Sequence, residues 1–208
     1  MKHRHIVSLW LSAWGLVLGM AGGASAQTTP DALVKGVAAE VLMVIKSDRE
    51  LQGGNPKRLN ELLDAKLLPH FDFGRMTAMA MGRNWKLATP TQQQQLTSEF
   101  RTLLVRTYAG ALANYKDHVI EYKPLRMQAS DTEVVVRTQV VQPGAQPIAI
   151  DYSMAKNGDT WKAYDVIVAG VSLVTNYRDE FNNMVRDAGV DGLIKALSDK
   201  NRGSAQKR

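Results

Sequence analysis

The chain has 208 residues, of which 45% are hydrophobic and 22% charged, with a formal net charge of +6 and no cysteine. That is material for one sizeable core, with neither a disulfide framework nor a thiolate metal site available. The basic residues are scattered, without a Lys/Arg run or a basic stripe interleaved with aromatics, which argues against nucleic-acid binding.

Residues 1–26 read as a secretory signal peptide. Met1 to His5 is a short basic head, Ile6 to Met20 an apolar run, and Ala24-Ser25-Ala26 a small-residue site that predicts cleavage before Gln27. The apolar run falls short of the roughly 20 residues needed to span a bilayer. Losing Lys2 and Arg4 with the leader lowers the net charge to +4, a value that bears on solubility rather than fold. Residues 27–200 read as a single exported domain and 201–208 as a disordered polar tail.

Asp31 is placed to cap a first helix whose Leu33, Val34, Val37, Val41, Leu42, Val44 and Ile45 form an apolar stripe. Gln52-Gly53-Gly54-Asn55 ends it, and Pro56 opens a short helix with Leu59, Leu62 and Leu63 on one side. Pro69 breaks the chain before Phe71-Asp72-Phe73, and a helical run with Met76, Met79 and Ala80 follows, expected to stop at Trp85, shortly after Gly82. Thr89-Pro90-Thr91-Gln92 combines a capping threonine, proline at the first helical position and glutamine three residues on. From there Leu96, Phe100, Leu103, Leu104, Tyr108, Ala111, Leu112 and Tyr115 keep helical spacing, so this helix is a major wall of the core.

The apolar period changes to two after His118. Strands are predicted over Val119–Met127, with an irregularity at Pro124, over Glu133–Val141, over Pro147–Met154, and over Trp161–Val168 after an Asn157-Gly158-Asp159 turn. A hinge at Ala169-Gly170 leads into a helix carrying Leu173, Val174, Tyr177, Phe181, Met184 and Val185 on one face. Gly189-Val190-Asp191-Gly192 breaks the chain before a short helix, Leu193 to Leu197. Helices, then a four-stranded antiparallel meander, then a returning helix make an α+β fold.

Catalytic signals are thin. The exported part has two histidines, His70 and His118, without metal-ligand spacing, and no phosphate-binding glycine loop. Gly170-Val171-Ser172-Leu173-Val174 lacks the last glycine of a nucleophile elbow, so Ser172 reads as a helix cap. Asp165, amid Tyr164 and Val166, could be a general base in an apolar cup. One carboxylate without a partner acid favours a structural hydrogen bond or ion pair instead. Met76, Met79, Met81, Met127, Met154 and Met184 are suited to irregular apolar gaps, in a core or at a pocket.

Several blocks resemble the MlaC family of periplasmic phospholipid-binding proteins. They are Phe71-Asp72-Phe73, Met81-Gly82-Arg83-Asn84-Trp85, Leu103-Leu104 through Tyr108, Trp161-Lys162-Ala163-Tyr164-Asp165-Val166, Gly170 to Val174 with Asn176-Tyr177-Arg178 and Phe181, and Gly189 to Ile194. The resemblance spans roughly Pro30 to Leu197 and is most specific over 161–181. Met81 stands where leucine is expected, and Ala169 where glutamate is expected.

The resemblance implies a cone of helices around a curved four-stranded antiparallel sheet, similar in shape to NTF2, with an apolar cavity for acyl chains. It implies a carrier that moves phospholipid between an outer-membrane lipoprotein–porin complex and an inner-membrane ABC transporter complex with an MCE-domain subunit, keeping phospholipid out of the outer leaflet. Phospholipid is then the transported ligand, with no cofactor, metal or catalytic residue. The expected lining is Met76, Met79, Leu103, Leu104, Tyr108, Val174, Tyr177 and Phe181. On the strands, the more apolar faces add Val134, Val136, Ile150, Tyr152, Val166 and Val168. The competing readings are a small-molecule enzyme in an NTF2-like cup using Asp165, and a periplasmic adaptor that binds only proteins.

Overall fold

In the computed structural model, which describes residues 28–113 and 118–206, five α-helices precede the sheet and one follows it among the described residues. Residues 1–26, expected to be a signal peptide, and Tyr115 lie outside the described residues. Helix α1 (Pro30–Ser47) begins one residue before Asp31, with Pro30 at its first position, so Asp31 sits in the first turn rather than capping it. Asp48 accepts from the backbone N–H groups of Glu50 and Leu51 and so starts the short α2 (Arg49–Gln52). Asn55 caps α3 (Pro56–Lys66) in the same way, and Asp72 caps α4 (Phe73–Met81) through the Arg75 N–H. Helix α5 (Pro90–Ala113) carries the capping box predicted from its sequence: the Gln92 N–H donates to Thr89 Oγ1 and the Thr89 N–H to Gln92 Oε1, at 3.3 and 2.9 Å.

The sheet has five strands in sequential antiparallel order: β1 (Val119–Tyr122), β2 (Glu133–Val141), β3 (Ile148–Asn157), β4 (Thr160–Val168) and β5 (Val171–Ser172). The first strand stops short of the predicted Met127, because Pro124 has no N–H to offer and pairing ends with the Lys123 N–H on the Arg137 carbonyl. The expected hinge is a hairpin turn. Val168 pairs with Val171 across Ala169 (φ 49°) and Gly170 (φ 84°), and the positive φ at both central residues is the geometry that matches strand twist in a two-residue turn. That turn supplies the fifth strand, where the sequence reading has four and passes directly into a helix.

Helix α6 (Arg178–Gln206) is longer than predicted and kinked at Gly189, whose φ of 70° and ψ of −176° only glycine adopts readily. It lies along α5 and α4. The helix continues to Gln206, into the 201–208 stretch expected to be a disordered tail. Its anchor there is Asn201, which is buried and donates from Nδ2 to the Glu99 carbonyl at 3.0 Å and to Glu99 Oε2 at 2.6 Å.

Apolar side chains gather in three clusters. The largest joins α4, α5 and α6 through Met76, Met81, Leu96, Phe100, Leu103, Leu104, Val174, Tyr177, Phe181 and Leu193, with Met79 at its margin. Phe100 sits edge-on to Tyr177 and Phe181, with ring centroids 5.3 and 5.2 Å away. A second cluster joins α1, α2, α3 and Ala109 of α5. The third, at the far end of the sheet, holds Val134, Val136, Met154, Trp161 and Ala163 under Leu33 and Val34 of α1.

Candidate functional site

Between the sheet and helices α1, α3, α4 and α5 lies a cavity of about 580 Å³. Helix α1 contributes Ala38, Val41, Leu42 and Ile45, which is the i, i+3, i+4, i+7 pattern of one helix face. Leu63 of α3, then Leu67, Leu68, Phe71, Phe73 and Met76, close one end. Helix α5 adds Leu104, Val105, Tyr108 and Ala109. The sheet offers one face: Ile120 of β1, Val140 of β2, Ile148, Ile150 and Tyr152 of β3, Val166 and Val168 of β4, and Val171 and Leu173 at β5. Strand register accounts for this layer, since Val140 is opposite Ile148, Ile150 opposite Val168, and Tyr152 opposite Val166. Ile148 and Val171 are 46% and 54% exposed and mark the mouth.

Among the described residues no lining side chain is charged, and the only hydroxyls are those of Tyr108 and Tyr152. Burial, together with the neighbouring Tyr177 and a hydrogen bond to it, pushes the Tyr108 hydroxyl up to about 12. It is therefore a neutral group at any physiological pH. Such a surface can hold an apolar body and offers no charge to grip an ionic one.

Of the residues expected to line a pocket, Met76, Leu104, Tyr108, Ile150, Tyr152, Val166 and Val168 surround this cavity. Met79, Leu103, Val174, Tyr177 and Phe181 do not. They belong to the helical cluster, because α6 packs against the side of α5 that bears Leu96, Phe100 and Leu103, while Leu104, Val105 and Tyr108 face the cavity. Tyr177 lies next to the lining residue Tyr108 and helps to raise its hydroxyl. Val134 and Val136 lie on the same strand face as Val140, yet at the other end of the strand, where Trp161 and Met154 fill the space. Helix α1 is the part of the wall that sequence reasoning left out. Its wide apolar stripe was the available signal, as was the presence of apolar residues on two faces of α5.

Asp165 is paired with Ser153, on the face of β4 opposite to Val166 and Val168, so it does not face the cavity. Its Oδ2 accepts from the Ser172 hydroxyl at 2.6 Å, and Ser172 Oγ in turn accepts from the N–H groups of Val174 and Thr175, at 3.2 and 2.9 Å. Ser172 thus ties down the chain entering the single helical turn Thr175–Tyr177, but the capping position there is Val174, without a side-chain cap. Arg178 makes no pair with Asp165; its guanidinium donates to the Met79 carbonyl. Among the described residues no cluster of His, Asp or Glu could hold a metal ion, and no helix is long and apolar enough to cross a membrane.

A family profile described as "MlaC protein" matches residues 35–199. The chain belongs to the MlaC family. The MlaC of Haemophilus influenzae, named an intermembrane phospholipid transport system binding protein, is 24% identical over 84% of this chain and 83% of its own length. The toluene tolerance protein ttg2D of Pseudomonas putida is 26% identical over 80% of this chain and 77% of its own. A phospholipid-binding protein from Ralstonia solanacearum, solved in complex with a phospholipid, superposes with a TM-score of 0.78 at 44% identity. It covers 84% of this chain and 98% of that one. The MlaC fold seen here is accordingly a mixed one, helices on an open antiparallel sheet.

Proposed function

We propose that this MlaC-family chain is a periplasmic phospholipid carrier and not an enzyme. It takes phospholipid between an outer-membrane lipoprotein–porin complex and an inner-membrane ABC transporter complex with an MCE-domain subunit, and so helps keep phospholipid out of the outer leaflet. The observation that carries this reading is the apolar cavity. Its 580 Å³ lies within the roughly 300–1,000 Å³ of ligand pockets. Water inside so apolar a pocket finds few hydrogen-bonding partners, which is a cost to the lipid-free protein. An occupant made of methylene groups removes that cost, gaining about 0.8 kcal/mol for each one buried. The uncharged lining leaves the head group at the mouth, near Ile148 and Val171. The phospholipid held by the Ralstonia solanacearum relative supports the same ligand class here.

Native mass spectrometry of the protein purified from a Gram-negative host tests the reading. The expected spectrum contains a species heavier by one or more phospholipid masses, identified by extraction. Val168→Arg, which puts a cation on the lining, is expected to remove at least nine-tenths of the bound lipid without preventing folding. A wild-type protein that stays lipid-free after incubation with phospholipid vesicles would sink the proposal.

A further inference from the structure

The lip of the cavity is a three-residue strap, Val171 to Leu173. It is held to β4 by the pairs Val168 with Val171 and Ile167 with Ser172, and by the Leu173 N–H on the Val166 carbonyl at 2.8 Å. Val171 and Leu173 face the cavity, and Ser172 faces the other way. A strand this short adds little pairing of its own. What fixes it is the Ser172 hydroxyl, which donates to a carboxylate on one side and accepts from the N–H groups of Val174 and Thr175 on the other.

That carboxylate is costly. Asp165 is 5% exposed, and its Oδ1 is buried with no hydrogen-bond partner among the described residues. A carboxylate buried with one side-chain partner is a poor way to stabilise a sheet, and a neutral or apolar residue would do so at lower cost. What it does provide is a short charge-assisted bond, about twice as strong as a neutral one and concentrated at a single point of the strap. We infer that Asp165 and Ser172 are positioning residues for lipid passage: their bond latches the strap across the mouth, and its breaking sets how fast lipid enters and leaves.

This inference rests on the carrier reading, and the test separates the two. The mature protein is loaded with a fluorescent phospholipid. Bound lipid is measured at equilibrium, and release is timed into acceptor vesicles of phosphatidylethanolamine and phosphatidylglycerol. Asp165→Asn keeps the shape of the side chain and leaves the Val174 and Thr175 N–H bonds to Ser172 Oγ intact. It is expected to load as fully as wild type and to release about tenfold faster, the difference between a charged and a neutral hydrogen bond. Ser172→Ala is expected to release at least as fast, and Ser172→Thr, which keeps the hydroxyl, at the wild-type rate. Normal loading with unchanged release in Asp165→Asn overturns the latch and leaves the carrier standing; a wild type that does not load overturns both. Should the variants fail to fold, amide hydrogen exchange on the wild type decides. The Leu173 amide is expected to exchange at least tenfold faster than that of Tyr152 in the sheet interior, and to slow when lipid is bound. Equal protection of the two overturns the latch.

Discussion

Two residues carry most of the individual chemistry around the cavity, and each has a measurable consequence. Ala169 has φ 49°, the left-handed region that costs an L-residue about 1–2 kcal/mol, while its neighbour Gly170 occupies the same region without strain. Asn tolerates this region better than alanine. Ala169→Asn is therefore expected to raise the melting temperature by about 2–4 °C, measured by thermal denaturation; an unchanged value would mean the turn holds alanine without strain. Tyr108, pushed up to about 12 from its usual value near 10, ties stability to pH in the alkaline range. A group raised in the folded state favours folding fully below its unfolded value and loses that contribution as pH rises through the folded one. The urea midpoint is thus expected to fall between about pH 10 and 12, and Tyr108→Phe to flatten this part of the profile. Neither residue was fully legible beforehand. Ala169 was read as part of a hinge, but which of its φ wells it takes depends on the strand that follows. Tyr108 was placed on the right helix, but its tie to Tyr177 joins two helices far apart in sequence.

Among the elements, α6 and α5 show where the sequence runs out. Helical periodicity identifies an apolar face, not what that face meets. Val174, Tyr177 and Phe181 were correctly periodic, yet they close the core against Phe100 instead of opening onto the cavity. Turn chemistry was more informative. Asn157-Gly158-Asp159 and Thr89-Pro90-Thr91-Gln92 act locally, and the turn and cap they predict are both present. The kink in α6 combines both kinds of constraint. Gly189 was legible as a break, but the close approach that follows was not: a Cβ on Gly192 would lie 2.3 Å from Ala188 Cβ. Both Gly189→Ala and Gly192→Ala are expected to destabilise the protein, the first by about 1–3 kcal/mol from backbone strain, seen as a lower urea midpoint. A helix that tolerated both would show that the kink is not needed to lay Leu193 and Leu197 against α5.

For the whole molecule, the α+β class and the order of strands followed from the change of apolar period, because neighbours in sequence are neighbours in the sheet. The cavity was harder to see, since the same residue types fill a core or line a void. If the void holds phospholipid, emptying it costs stability throughout. Protein stripped of lipid is expected to melt about 5–10 °C below the loaded form, as for a ligand present at a hundredfold its Kd; equal melting points would count against an apolar occupant. The sequential meander is also expected to separate two events in refolding. Each strand needs only a short loop to meet its partner, whereas the helical cluster waits for Phe181 and Asn201 to reach Phe100 and Glu99. Beyond residues 1–26 the sequence has two tryptophans: Trp161, buried with Val134, Val136, Met154 and Ala163 of the strands and covered from elsewhere in the chain only by partly buried side chains such as Leu33 and Val34, and Trp85, packed against the helical cluster. Refolding followed in two single-tryptophan variants should therefore show Trp161 reaching its native fluorescence before Trp85, with the cavity walled by the sheet while its helical side is still assembling.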